Sequence, residues 1–317
     1  MHIFVYLKSI VQTNAMNKNL SIAKKVKNDE FYTMLPDIEK EVSYYLLHFY
    51  GKTVFCNCDD DTSNFTKYFK TNFYKLGLKE LIVTGITEGK RFQDTIDLLD
   101  KSDIVVTNPP FSQAREFIQL LMEHHKRFLI VGDLNWISYR EIFPLIKNNQ
   151  IWLGYNMIKS FLTPEGEVKK FGNKLWYTNL DIEKRHEWLD LRKKFEENNY
   201  LWYDNYDAIN VNRIKDIPCD YDGVMGVPVT FLNRYNPNQF EIITLGHSPK
   251  HFTPMKKYEG VVRHNTDGTV TKKHIALNQC LTIGTEEKPE GIYYTAVNSD
   301  KYLILPYDRL LIRRKHV

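Results

Sequence analysis

Asn108-Pro109-Pro110-Phe111 follows directly on the apolar run from Asp103 to Thr107. Two consecutive prolines can neither continue a helix nor pair inside a central strand, so the chain must leave the sheet here in a stiff turn. Such a turn holds the side-chain oxygen of Asn108 and the carbonyl of Pro109 in one fixed direction, with the Phe111 ring beside them. Two fixed acceptors next to an aromatic face suit an exocyclic amino group. Adenine N6 is a poor nucleophile because its lone pair is delocalised into the ring. Acceptors gripping both of its hydrogens favour a pyramidal nitrogen and aim the lone pair at an electrophile. The sulfonium of S-adenosylmethionine is already a strong methylating agent, so positioning supplies much of the catalysis. Phe111 would stack on the base, which would have to flip out of a duplex to reach such a pocket. The plainer alternative, a proline turn that only ends a strand, is weakened by the apolar strand before it and the aromatic after it.

The elements that must hold this turn alternate between strand and helix. Ile38, Val42, Tyr45 and Phe49 recur at helical spacing over Pro36 to Tyr50, and Gly51 stops the run. Lys52 to Cys56 reads as a buried strand. Thr62 or Ser63 can cap the next helix, whose apolar face is Phe65, Phe69 and Phe73. Leu81 to Ile86 is a second strand, Ile96 to Leu99 a short helix and Asp103 to Thr107 a third strand. Gln113 to His124 is a further helix and Phe128 to Val131 a further strand. This rhythm predicts an α/β fold: a doubly wound, mostly parallel Rossmann-like sheet, with ligands at the carboxyl ends of its strands. Asn57 to Asp61, Thr84-Gly85 and Asn108 to Phe111 would all lie there. Beyond about Gly154 the segments read as short and strand-like, rich in prolines, asparagines, aromatics and basic residues. We therefore expect an extension over 1–18, a catalytic core over 19–154, and over 155–317 the last sheet strands with an appended irregular target-recognition region.

With 317 residues, 43% of them apolar and 14% aromatic, the chain can bury a substantial core, which excludes disordered, collagen-like and coiled-coil classes. No run of about 18 apolar residues is present. The apolar start from Met1 to Ile10 is short and has no cleavage-site pattern, which argues for a cytoplasmic protein. A net charge of +4 permits contact with a polyanion without demanding it. Cys56, Cys58, Cys219 and Cys280 lack zinc-ligand spacing and read as reduced thiols. No metal is expected.

Longer stretches carry a resemblance. Asn108-Pro-Pro-Phe111 looks like motif IV of amino-group methyltransferases acting on adenine, cytosine or protein glutamine. Asp29-Glu-Phe-Tyr-Thr33, Val54 to Asp60, Asp103 to Phe111, Glu141 to Ile146, Ile151 to Gly154 and Asp220 to Pro228 together resemble the EcoRI-type adenine-specific DNA methyltransferase family. The likeness runs from about Asn19 to the C-terminus. It implies S-adenosylmethionine as methyl donor, double-stranded DNA as substrate, and a cognate restriction endonuclease as a partner such systems contain. It also implies donor-binding roles: Phe31, Tyr32 and Thr33 as motif X, Cys56 to Asp60 as motif I with Asn57, Asp59 and Asp60, Thr84 near the ribose, and Phe92 with Asp94 on the adenine side. Two departures stand out. The motif I turn has no glycine, and the second strand ends Val83-Thr84-Gly85 where an acidic residue usually grips the ribose. Asp59 or Asp60 could do so instead, although three successive aspartates also suit a solvated turn.

Trp176 or Tyr177 could form a second wall of the base pocket opposite Phe111, or both could be core. Lys256-Lys257 and Lys272-Lys273, with Arg263-His264 and Arg313 to His316, suit phosphate contacts, as they also suit any exposed surface. The competing functions are methylation of RNA adenine or protein glutamine through the same motif, and a catalytically silent DNA-binding module.

Overall fold

The computed structural model describes residues 4–5, 32–85, 95–163, 166–247, 250–272 and 275–316. The chain divides into two compact units, Met1–Ile182 and Glu183–Val317. Phe31, Phe92, Asp94 and Lys273 lie outside the described residues.

The first unit is built on an eight-stranded mixed sheet. Its strands are β1 (Phe4–Val5), β2 (Tyr32–Thr33), β3 (Thr53–Cys56), β4 (Glu80–Val83), β5 (Ile104–Thr107), β6 (Arg127–Asp133), β7 (Trp152–Leu162) and β8 (Val168–Thr178), in the order β1-β4-β3-β5-β6-β8-β7-β2. The β1, β4, β3, β5 and β6 strands run parallel, while β8, β7 and β2 pair antiparallel. Every residue of β3 and β5 is buried, as expected of central parallel strands covered on both faces. That is why Thr-Val-Phe-Cys and Ile-Val-Val-Thr read as continuous runs without polar alternation. The sheet is thus more mixed than the parallel one expected, and its last strands run on to Thr178.

Among the described residues six helices accompany these strands: α1 (Leu35–Val42), α2 (Leu46–Phe49), α3 (Asn64–Thr71), α4 (Ile96–Lys101), α5 (Ala114–Glu123) and α6 (Phe143–Lys147). Ser63 caps α3, its hydroxyl accepting from the Thr66 amide at 3.2 Å. The single helix expected over 36–50 is broken in two. At the break Tyr44 and Tyr45 donate backbone bonds three residues back, to Glu41 and Val42, so the last turn tightens and the chain swings away.

The long β7–β8 hairpin was not expected; the sequence there suggested short strands. Its outer half is polar, with Lys169, Lys170 and Asn173, and only its inner half, Lys174 to Thr178, is buried. The charged half hides the strand from pattern reading. The hairpin register shifts between Leu153 and Met157, and Glu41 of α1 repairs the interruption. Fully buried, its carboxylate accepts from the Tyr155 amide at 2.7 Å, the Asn156 amide at 2.9 Å, the Asn156 side chain at 2.8 Å and the Tyr45 hydroxyl at 2.8 Å. Glycine is required at 154, because a Cβ there would overlap the Glu41 carboxylate and the Trp176 side chain.

The second unit holds two five-stranded sheets. One has the order β12-β18-β11-β10-β9, from β9 (Leu201–Trp202), β10 (Ile209–Asn210), β11 (Met225–Pro228), β12 (Phe240–Leu245) and β18 (Arg309–Arg314). The other has the order β14-β13-β16-β17-β15, from β13 (Val262–His264), β14 (Val270–Lys272), β15 (Ile283–Thr285), β16 (Tyr293–Ala296) and β17 (Ser299–Ile304). Its helical turns among the described residues are all of the 3₁₀ type. No helix among the described residues is long and apolar enough to cross a membrane.

Glu41→Ala strands two part-buried backbone donors, each costing up to about 1–3 kcal/mol, so unfolding in denaturant should reveal a loss of roughly 2–6 kcal/mol. Glu41→Gln, which keeps one carbonyl acceptor, should lose less. Equal stability of Glu41→Ala and the parent chain would show that water satisfies the bulge.

Candidate active site

Three strand ends converge at the carboxyl edge of the first sheet. The turn after β3 carries Asn57, Cys58 and Asp59, and has no glycine to let a ligand approach bare backbone. Side chains hold it instead. The Thr107 hydroxyl, at the end of β5, accepts from the Cys58 amide at 3.2 Å and donates to Asp59 Oδ2 at 2.5 Å. Asp59 also accepts from the Ser63 hydroxyl and from the backbone amide of Asn108. This buried carboxylate therefore joins the turn after β3, the cap of α3 and the first residue of the Asn-Pro-Pro-Phe motif. Burial pushes its pKa up to about 7, against the lowering effect of those three hydrogen bonds.

Asp60 behaves differently. It is exposed, and its carboxylate folds back onto the Thr62 amide at 2.8 Å and the Thr62 hydroxyl at 2.6 Å. The two adjacent aspartates thus divide between a buried joint and a local turn. Asn57 lies between β3 and β4, its Oδ1 accepting from Thr84 Oγ1 at 3.3 Å and from Thr95 Oγ1 at 2.8 Å. Gly85 follows, where a Cβ would press on that of Asp60 at 3.0 Å. The close passage of the aspartate turn leaves little room for a side chain there.

Among the described residues, Asn57 Nδ2 and Thr33 Oγ1 are buried with no hydrogen-bond partner. Thr33 ends β2, and its carbonyl accepts from the Asn64 side chain at 2.9 Å, next to the Ser63 cap. Buried polar groups are normally paired, so each of these two orphan atoms fits a contact with a polar ligand. Tyr32 is more exposed.

The Asn108 turn is half-buried, and Pro109 is buried. Phe111 packs edgewise on Phe161 at 6.4 Å and is tilted against Trp136 at 6.1 Å. The Lys174 ammonium lies 4.3 Å from its ring centroid. Trp176 and Tyr177 are both fully buried in β8. Trp176 meets Phe65 at 5.9 Å. Tyr177 stacks on Trp136 at 5.4 Å, and its hydroxyl donates to the Asp133 carbonyl at 3.0 Å. The structure therefore puts this pair in the core, and the ring contacts of Phe111 are with Trp136 and Phe161.

In the second unit Lys256 is half-buried and pairs with Asp204 at 2.8 Å, while Tyr258 donates to the same carboxylate at 2.8 Å. Its charge is already matched. Lys257 is exposed, and Lys272 ends β14. Sequence reading missed Thr107, Ser63 and Thr95. A hydroxyl directly before the Asn-Pro-Pro turn was the available signal for Thr107.

The family profile described as adenine-specific methyltransferase EcoRI matches residues 19–94 and 87–315. The chain belongs to this family. It is similar to the type II methyltransferase M.EcoRI of Escherichia coli, 45% identical over 73% of this chain and 90% of that protein. It is also similar to the type II methyltransferases M.MgeORF184P of Mycoplasma genitalium (39% identical; 70% and 84% covered) and M.MpnI of Mycoplasma pneumoniae (38% identical; 70% and 83% covered). The chain is a site-specific DNA methyltransferase with adenine specificity, and the family implies S-adenosylmethionine as its methyl donor. The orphaned Thr33 and Asn57 atoms fit such a donor, which carries amino, carboxylate and hydroxyl groups.

The raised Asp59 pKa has a defined consequence for this methyltransferase. In the unfolded chain an aspartate loses its proton near pH 3.9; in the folded protein it does so near 7. Between those values the folded state binds the extra proton, so this group's contribution to stability is full below the lower value and is lost as pH rises through about 7. Asp59→Asn cannot titrate. Its melting temperature should therefore gain on that of the parent as pH is raised from 5 to 8. Parallel melting curves across that range would place the Asp59 proton outside this window.

Proposed function

We propose that the enzyme transfers a methyl group from S-adenosylmethionine to N6 of an adenine flipped out of duplex DNA, on a doubly wound catalytic domain. The observation that carries this reading is the Asp59 joint, through which the glycine-free turn after β3 and the amide of Asn108 share one buried carboxylate. Donor side and base side are thereby held in one register. Asn108 Oδ1 and the Pro109 carbonyl accept the two N6 hydrogens, fixing the nitrogen lone pair in the direction of attack. Phe111 supplies the stacking face. Thr33, Asn57, Asp59, Asp60 and Thr84 line the donor side, joined by Phe31, Tyr32, Phe92 and Asp94 of the matching motifs.

The donor brings an electrophilic methyl group, so the protein need not generate a nucleophile. What these residues contribute is alignment and the exclusion of water from a dry pocket. The second unit reads the sequence around the target base, with Lys257, Lys272 and Lys273 on phosphates. Lys256 contributes less, because Asp204 holds its charge. A cognate endonuclease recognising the same site completes the system, and the protein works in the cytoplasm.

Sequencing of modified bases in DNA from cells expressing the chain tests the reaction and reveals the recognised site. A mixed assay with labelled donor, DNA, tRNA and protein separates the RNA and protein alternatives. Asn108→Ala should cut single-turnover methylation roughly a hundredfold or more, as expected for loss of one oriented transition-state partner, with donor affinity nearly intact. Near-parental turnover would remove Asn108 from the mechanism. Lys257→Gln should lower the slope of log DNA affinity against log salt by about 0.9, the value for one phosphate contact on a duplex, and leave donor affinity alone. An unchanged slope would move the recognition surface elsewhere.

A further inference from the structure

Beside the Asn108 turn lies an ion pair that the mechanism above does not use. Asp133 ends β6, the strand next to β5. Lys174 is its direct partner across the antiparallel β6–β8 ladder. Their side chains form a short ion pair and are 15% and 8% exposed, so both charges are largely withdrawn from water. The Asp133 carboxylate is further saturated by the Asn173 side chain, at 3.0 and 2.9 Å to its two oxygens, and by the Asn135 amide at 2.8 Å. Among the described residues Lys174 has Asp133 as its ion-pair partner. Its ammonium stands 4.3 Å from the centroid of Phe111 and 5.3 Å from that of Phe171.

A buried ion pair is a weak source of stability, since desolvation consumes most of the attraction, and apolar residues of similar volume often do as well. This one stands against the ring that follows the two prolines. An ammonium at that distance engages one face of an aromatic ring through its quadrupole. Trp136 and Phe161 meet the same ring at 65° and 88°. Phe111 therefore meets two aromatics at steep angles and carries a cation over one face, so a base stacked on this ring would use the opposite face.

We propose that Asp133 and Lys174 are positioning residues of the target-base site: Asp133 fixes the Lys174 ammonium, and the ammonium locks the Phe111 ring so that its opposite face meets the flipped adenine. This rests on the reading of Asn108 to Phe111 as the base-gripping motif. The pair acts through Phe111 and does not touch the donor. It also explains why an antiparallel strand inserted next to β6 carries a lysine at its buried end.

The test uses the full chain, unmethylated DNA containing the recognised site, and labelled S-adenosylmethionine. Asp133→Asn/Lys174→Met removes both charges together and leaves neither stranded. It should slow single-turnover methylation about tenfold, the effect of one desolvated cation–π contact, with donor affinity and melting temperature close to the parent's. Lys174→Arg, whose guanidinium can still pair with a carboxylate and lie on a ring, should stay within about threefold of the parent. In a Phe111→Leu background the double change should cost less than about threefold, because its route to the base is gone. Should the double variant not fold, Lys174→Gln loses the charge, keeps a hydrogen bond to Asp133 and carries the same expectations. Parental rates in the charge-free variants, or equal losses with and without Phe111, overturn the proposal. Asn108→Ala measured alongside separates the two readings. If it is slow while the pair variants are not, only the positioning role is wrong; if it too is parental, the base-site reading itself has failed.

Discussion

A carboxylate buried among neutral groups is costly unless donors surround it, and Asp59 sits where three segments each supply one. Thr107 closes β5, Ser63 starts α3, and the Asn108 amide begins the proline turn. The turn after β3 has no glycine, and this joint holds it through side chains instead. It gives the turn after β3 a single conformation and couples that conformation to the direction in which Asn108 leaves the sheet.

The same physical device recurs around the sheet. Glu41 spends its carboxylate on two amides that the β7–β8 ladder leaves unpaired. Asp133 gathers a lysine, an asparagine and a backbone amide at the end of β6. In each case an acidic side chain at low exposure organises irregular backbone next to a strand end. Polar groups fixed in a dry setting cost no reorganisation when a reactant arrives, which suits a reaction governed by alignment. The second unit is built differently, from two β-sheets and 3₁₀ turns, and its lysines vary in character: Lys256 is neutralised by Asp204, whereas Lys257 is exposed.

The strands β3 to β6 and the helices α3 to α5 were legible because their signals are local. Apolar runs bounded by turn residues marked β3 to β6, and Ser63 was available as a cap. The proline turn at Asn108 could be read because two prolines after an apolar run allow few conformations. The motif stretches made the family legible as well, and its profile covers nearly the whole chain. Less legible were the break between α1 and α2 and the outer hairpin of β7 and β8. A tightening of the last turn at Tyr44 and Tyr45 makes the first, and a solvated, lysine-bearing strand half conceals the second.

Sequence by itself singled out the Asn108 turn and the aspartate cluster, because side-chain type and turn chemistry travel with the chain, while Thr33 and Asn57 were named through the family resemblance. It could not decide between Asp59 and Asp60, which are adjacent and identical in type. Tertiary structure separated them by burial, sending one to Thr107 and the other back to Thr62. Nor could it tell a core aromatic from a pocket wall. Trp176 and Tyr177 became core, and Lys174 came to lie over Phe111, through the register of an antiparallel strand inserted between β6 and β7. Register is set by pairing across long sequence separations, and no local pattern in the chain encodes it.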